Sequence, residues 1–113
     1  MSDREFYDLW QAALASTDRD AYVAGWGTSS IFSADPDGPA PDYAAIAAQM
    51  GGIWDVAHMS VADIAKAAGK TITDLAMRFG INPRTALSWS SYRSCPDHIR
   101  LMMAECLGIL MRP

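Results

Sequence analysis

Cysteine is scarce in this chain of 113 residues. Cys95 and Cys106 are too few for a disulfide framework, and neither stands in a CxxC or Cys/His spacing that would bind zinc. They read as reduced thiols of a cytoplasmic protein. Histidine is equally sparse: His58 and His98 lie far apart, and the Asp55/His58 pair amounts to half of a metal site at most. No GxxxxGK[ST] or GxGxxG follows a strand-like run, so Gly25/Gly27 and Gly51-Gly52 read as breaks in helices rather than phosphate cradles. The hydroxyl clusters at Thr28–Ser30 and Ser88–Ser91 lack a base at a readable spacing. No catalytic residue, metal or cofactor is therefore expected. No run approaches the roughly 20 apolar residues of a membrane span, and the N-terminus MSDREF is charged, so a soluble, cytoplasmic protein with no membrane partner is predicted. No convincing strand pattern is present either, and the expected class is all-α, a small helical bundle.

What is present is apolar material, half of the residues, and charge that is unevenly spread. Residues 1–57 hold Arg4 and Arg19 against nine acids, a net of −7, whereas residues 58–113 hold seven bases against four acids, a net of +3. The overall charge of −4 hides a basic C-terminal half, and a local basic surface is what steers nucleic-acid binding. The excess is small, so a monomer is expected to bind weakly and to lose affinity steeply with salt.

Ser2 and Glu5 have capping-box spacing ahead of Phe6, Leu9, Trp10, Ala13 and Leu14, which predicts a helix over about 3–15 with that stripe inward. Thr17 to Asp20 repeats the cap pattern before Tyr22, Val23 and Trp26, a short helix that Gly25 and Gly27 close. Residues 1–32 form an acidic helical extension, and SADPDGPAP over 33–41 is a linker, because three prolines forbid regular helix. Helical phase resumes from Tyr43 to His58, a connecting helix over 42–58 in which Gly51-Gly52 either kinks the axis or admits a close neighbour. A module over 59–113 follows. Ser60 and Asp63 open a helix ended by Gly69, and after the central motif Pro96 starts a last helix whose apolar residues are Ile99, Met102, Met103, Cys106, Leu107 and Leu110.

The central motif is ITDLAMRFGINPRTALSWSS, Ile72 to Ser91. Thr71 caps a helix whose Leu75, Ala76 and Phe79 share a face. Gly80 takes the left-handed turn, Ile81 pins it, and Asn82-Pro83 restart the chain as N-cap and first helical position. In the second helix, about Pro83 to Ser91, Ala86 and Trp89 face inward. Arg84, Thr85, Ser88 and Asn82 point out, the residue types that major-groove reading uses.

Met59 to Leu110, with FGINPRTALSW and CPDHIRLMMAECLG, resembles the phage repressor/Cro-like (XRE-type) helix-turn-helix family over a little under half of the chain. The resemblance implies a helical DNA-binding module and transcriptional control, a repressor binding double-stranded DNA, and the small charge excess adds the expectation of either a homodimer or a weak binder. Arg84, Thr85 and Ser88 would read bases, and Lys70, Arg78, Asn82, Tyr92 and Arg93 would hold phosphates. The chain departs from the family pattern at Ile72, where many relatives have Gln, at Ser90, where Glu is frequent, and at Leu87, usually polar. Those departures carry a second reading, a phage or mobile-element protein that binds and inhibits another protein, as an antitoxin or an inhibitor of a host defence complex does. The acidic N-terminal half is the expected partner surface or dimer contact, with Trp10, Tyr22, Trp26 and Trp54 supplying apolar area.

Overall fold

A computed structural model of the chain describes residues 2–27, 42–89 and 94–110. These form seven helices and no strand, as the all-α class requires. No helix among the described residues is long and apolar enough to cross a membrane. They divide into two compact units, one reaching to Asp55 and one beginning at Val56.

In the first unit, α1 (Asp3–Ala15) starts with a complete capping box: the Ser2 hydroxyl accepts from the Glu5 N–H and the Glu5 carboxylate from the Ser2 N–H, each at 3.1 Å. The Ser2 backbone bond, with help from its hydroxyl, holds the Glu5 carboxyl below its ordinary pKa. Phe6, Leu9, Trp10 and Ala13 are buried, as the stripe predicts. α2 (Arg19–Gly27) is capped by Asp18 and not by Thr17. The Asp18 carboxylate accepts from the Ala21 N–H at 3.1 Å, while the Ser16 hydroxyl accepts from the Asp18 N–H and donates to its carbonyl, fixing the turn. A charged acceptor outcompetes a neighbouring hydroxyl for this role. The helix passes through Gly25 and ends at Gly27.

α3 (Tyr43–Ala57), capped by Asp42, also runs unbroken through Gly51-Gly52. Of the two expectations for this pair, the close neighbour is realised. The Arg19 guanidinium lies where a Cβ on Gly51 would stand, and it bonds the Asp55 carboxylate one turn later at 2.9 and 3.3 Å. Asp55 is thus an ion-pair partner of Arg19. Of the four aromatics expected at an apolar interface, Trp10 and Tyr22 are core residues, Tyr22 donating its hydroxyl to the Leu9 carbonyl at 2.8 Å, while Trp26 and Trp54 are half-buried; among the described residues of this unit the exposed aromatics are Tyr7 and Tyr43.

The second unit holds the end of α3, then α4 (Val61–Ala67), α5 (Ile72–Arg78), α6 (Pro83–Ser88) and α7 (Asp97–Cys106). Val61, Ile64, Ala65, Leu75, Cys95 and Met103 make its core, with Phe79, Ile81, Trp89 and Ile99 packed against them. Full burial of a side chain such as Ile64 or Leu75 contributes about 1.5–3 kcal/mol, which helices of six or seven residues need because they are too short to persist alone.

α7 departs from the expectation at its first residue and carries a charge on its buried face. Pro96 is the N-cap rather than the first helical residue, and the buried face is Arg100, Met103 and Ala104, while Met102 and Cys106 are exposed. Arg100 turns inward because its guanidinium finishes the end of α3. Its Nη1 donates to the carbonyls of Val56, Ala57 and Met59 at 3.1, 2.9 and 3.1 Å, and the Val56 carbonyl also accepts from the Met59 N–H at 3.2 Å as the chain leaves the helix. Asp97, three residues earlier on α7, balances the charge through Nη2 at 2.6 Å.

Candidate nucleic-acid interface

α5 and α6 are joined by a turn whose hydrogen bonds follow from its sequence. Thr71 accepts from the Asp74 N–H at 3.1 Å to open α5. At its far end Gly80 has φ +69°, and the N–H groups of Ile81 and Gly80 return to the carbonyls of Ala76 and Met77 at 2.8 and 3.3 Å. That reciprocal pair satisfies two orphan carbonyls and is open to glycine because a Cβ crowds the following carbonyl in this conformation. α4 and α7 close the same way, through Gly69 and Gly108.

Asn82 then opens α6, its side chain accepting from the Arg84 N–H at 2.9 Å, with Pro83 at the first helical position. α6 stops at Ser88, short of the expected Ser91. The Ser88 hydroxyl donates to the Thr85 carbonyl at 2.6 Å, the acceptor that the Trp89 N–H would need for another turn, and Trp89 instead bonds Ala86 at 3.2 Å. Ser90 and Ser91 lie outside the described residues.

One side of α6 is committed to packing and the other is open. Ala86 is buried and Trp89 half-buried against the core, while Arg84, Thr85, Leu87 and Ser88 are exposed. The Arg84 guanidinium makes no ion pair or hydrogen bond among the described residues, although its backbone N–H is taken by Asn82. Ser88 has given its proton to Thr85 and retains only its acceptor lone pairs. Asn82 keeps its amide NH2 for other partners, since the carbonyl oxygen is the capping atom.

The expected phosphate contacts are more dispersed. Lys70 is exposed just after α4, its N–H closing that helix on the Ala65 carbonyl at 2.9 Å. Arg78 leans away toward α7, its guanidinium 5.9 Å from the centre of the Phe79 ring and 3.9 Å from the Cys106 sulfur. Tyr92 and Arg93 lie outside the described residues.

Arg100, one of the seven bases behind the positive C-terminal half, contributes nothing to its surface: it is 0% exposed and neutralised by Asp97. The exposed cations described in the second unit are Lys66, Lys70, Arg78 and Arg84. The signal for Arg100 was in the sequence, a cation in phase with the apolar stripe of α7 and a carboxylate three residues before it. Cys95, beside this buried group, has its thiol pushed up to about 11 by burial, the nearby Arg100 charge opposing only part of that shift. Among the described residues no three His, Cys, Asp or Glu side chains come together as a metal site.

No protein-family model, curated protein or solved structure matches the chain.

Proposed function

We propose that this chain is a sequence-specific DNA-binding regulator of the repressor-like helix-turn-helix kind, which places α6 in a major groove and acts as a dimer on double-stranded DNA. The observation that carries the reading is the outward face of α6. Arg84, unpaired among the described residues, stands beside the exposed Thr85 and Ser88 on a helix whose opposite side is locked by Ala86 and Trp89. A guanidinium reads guanine bidentately, the Thr85 hydroxyl reaches a base edge or a phosphate, and the Ser88 oxygen can accept from a base amino group, whereas Lys70 and Asn82 are suited to hold the backbone. With few exposed cations to displace counterions, a single copy binds weakly, and two copies on paired half-sites are needed for useful affinity.

The test is selection from a random duplex pool at low and moderate salt. An enriched motif, palindromic for a dimer, is the expected result. Arg84→Ala should then cost about 1–3 kcal/mol on the selected site and relax preference at one position, while Lys70→Ala should weaken all duplexes alike. Equal, small effects of both substitutions would remove the assignment of roles.

The second reading, a mobile-element protein that binds and inhibits another protein, is favoured by one observation. Leu87 is 58% exposed in the middle of the same face, where an apolar side chain suits a protein surface better than a phosphate-lined groove. A pool with no enrichment and no retention at low salt would transfer the assignment to this reading.

A further inference from the structure

The second unit carries another open surface, between the end of α5 and α7. Phe79 and Ile81 form one wall of a groove of about 170 Å³, and Ile99, Met102 and Met103 form the other. Every lining residue is apolar, and Met102 is 63% exposed at the mouth. A cation stands at the rim. Arg78 lies over the Phe79 ring and reaches Cys106, which is one helical turn beyond Met102 on α7. No carboxylate pairs with Arg78 among the described residues, so its contacts there are an aromatic face and a thiol. The space suits one bulky side chain, and methionine walls adapt to its shape. The unpaired guanidinium selects a negative neighbour for that side chain and works against a basic one.

We propose that this groove docks a partner protein through a short acidic segment, in which one bulky apolar side chain enters between Phe79 and Met102 and an adjacent Asp or Glu pairs with Arg78. The site lies outside the exposed face of α6 and does not depend on the DNA-binding reading. It gives the chain a separate means of holding a protein partner.

The full-length chain, immobilised, is used to select from a random-peptide phage display library. Recovered peptides are then synthesised and measured against the wild type and three exposed-site variants. The expected peptides share a bulky apolar residue next to Asp or Glu. Met102→Glu should weaken them about tenfold by placing a charge at the apolar mouth. Leu87→Glu on α6 should leave them unchanged. Arg78→Glu should weaken the acidic peptides and, when selection is repeated on that variant, shift the recovered sequences from acidic to basic. Failure to enrich any peptide, or peptides insensitive to Met102→Glu, would overturn the proposal. So would concentration-dependent self-association of the wild type that Met102→Glu abolishes, since a second copy would then be the occupant.

Discussion

Arg100 shows how one side chain can set the geometry of a small helical unit. It links α7 to the last carbonyls of α3 and to Met59 just before α4. Arg100→Ala should destabilise the protein by about 3 kcal/mol or more, because the Ala57 and Met59 carbonyls lose the Arg100 donor, Val56 keeps only its bond from Met59, and a large buried volume is emptied. Asp97→Asn should cost about 1 kcal/mol or less, since that side chain is about half exposed and water can replace it. Urea unfolding of both variants checks the ranking, and an equal cost would mean that the charge balance, not the carbonyl contacts, dominates. The cysteines divide on the same principle. The exposed Cys106 should react with a thiol reagent at neutral pH, while Cys95, buried with its thiol raised to about 11, should react only on unfolding.

Those buried acids also set a pH limit. Burial raises both the Cys95 thiol and the Tyr22 hydroxyl above their unfolded values of 9.0 and 10.0. The unfolded chain therefore releases these protons first as pH rises. The stability linked to Cys95 is fully present below pH 9.0 and declines progressively up to about 11, and Tyr22 extends the loss further. A chemical denaturation midpoint that falls steadily above pH 9 is the expected outcome. A midpoint flat from pH 8 to 11 would contradict the burial of these groups.

At the scale of the element, neighbouring glycines should respond differently to the same substitution. Gly52 has nothing within 4 Å of the position a Cβ would take, so Gly52→Ala should stabilise α3 by about 1 kcal/mol through helix propensity. Gly51→Ala carries the same propensity gain but displaces the Arg19 guanidinium from Asp55, an exposed pair worth up to about 1 kcal/mol, and should come out near neutral. Gly80→Ala has the opposite sign. Forcing a Cβ into the left-handed turn between α5 and α6 should cost about 1–2 kcal/mol. Thermal unfolding of the three variants should give that order, and a stabilising Gly80→Ala would deny the turn its role.

For the whole molecule, the uneven charge and the two units define the next question. The acidic unit has Tyr7 and Tyr43 exposed, which leaves it apolar surface for self-association even though Trp10 and Tyr22 are spent on its core. If this unit supplies the dimer contact, the full chain should sediment as a dimer and a chain beginning at Ala40 as a monomer. A dimer of the shorter chain would move the contact elsewhere.

Much of the local structure was decided by the sequence alone, because its causes span only a few residues. Ser2/Glu5 and Ser60/Asp63 dictate where helices start, Gly69 and Gly80 where they stop, and Asn82-Pro83 where α6 begins. The outward placement of Arg84, Thr85 and Ser88 followed from the same short-range phase. What the tertiary structure decided are the outcomes of competition between distant groups. Asp18 displaced Thr17 as the cap of α2, and Arg19 filled the space above Gly51 from another helix. The face of α7 that turned inward was the one carrying a charge, because the Arg100 guanidinium finds carbonyl acceptors there, at the end of α3, while Met102 stays exposed. Those carbonyls lie more than forty residues earlier in the chain, beyond the reach of any helical period.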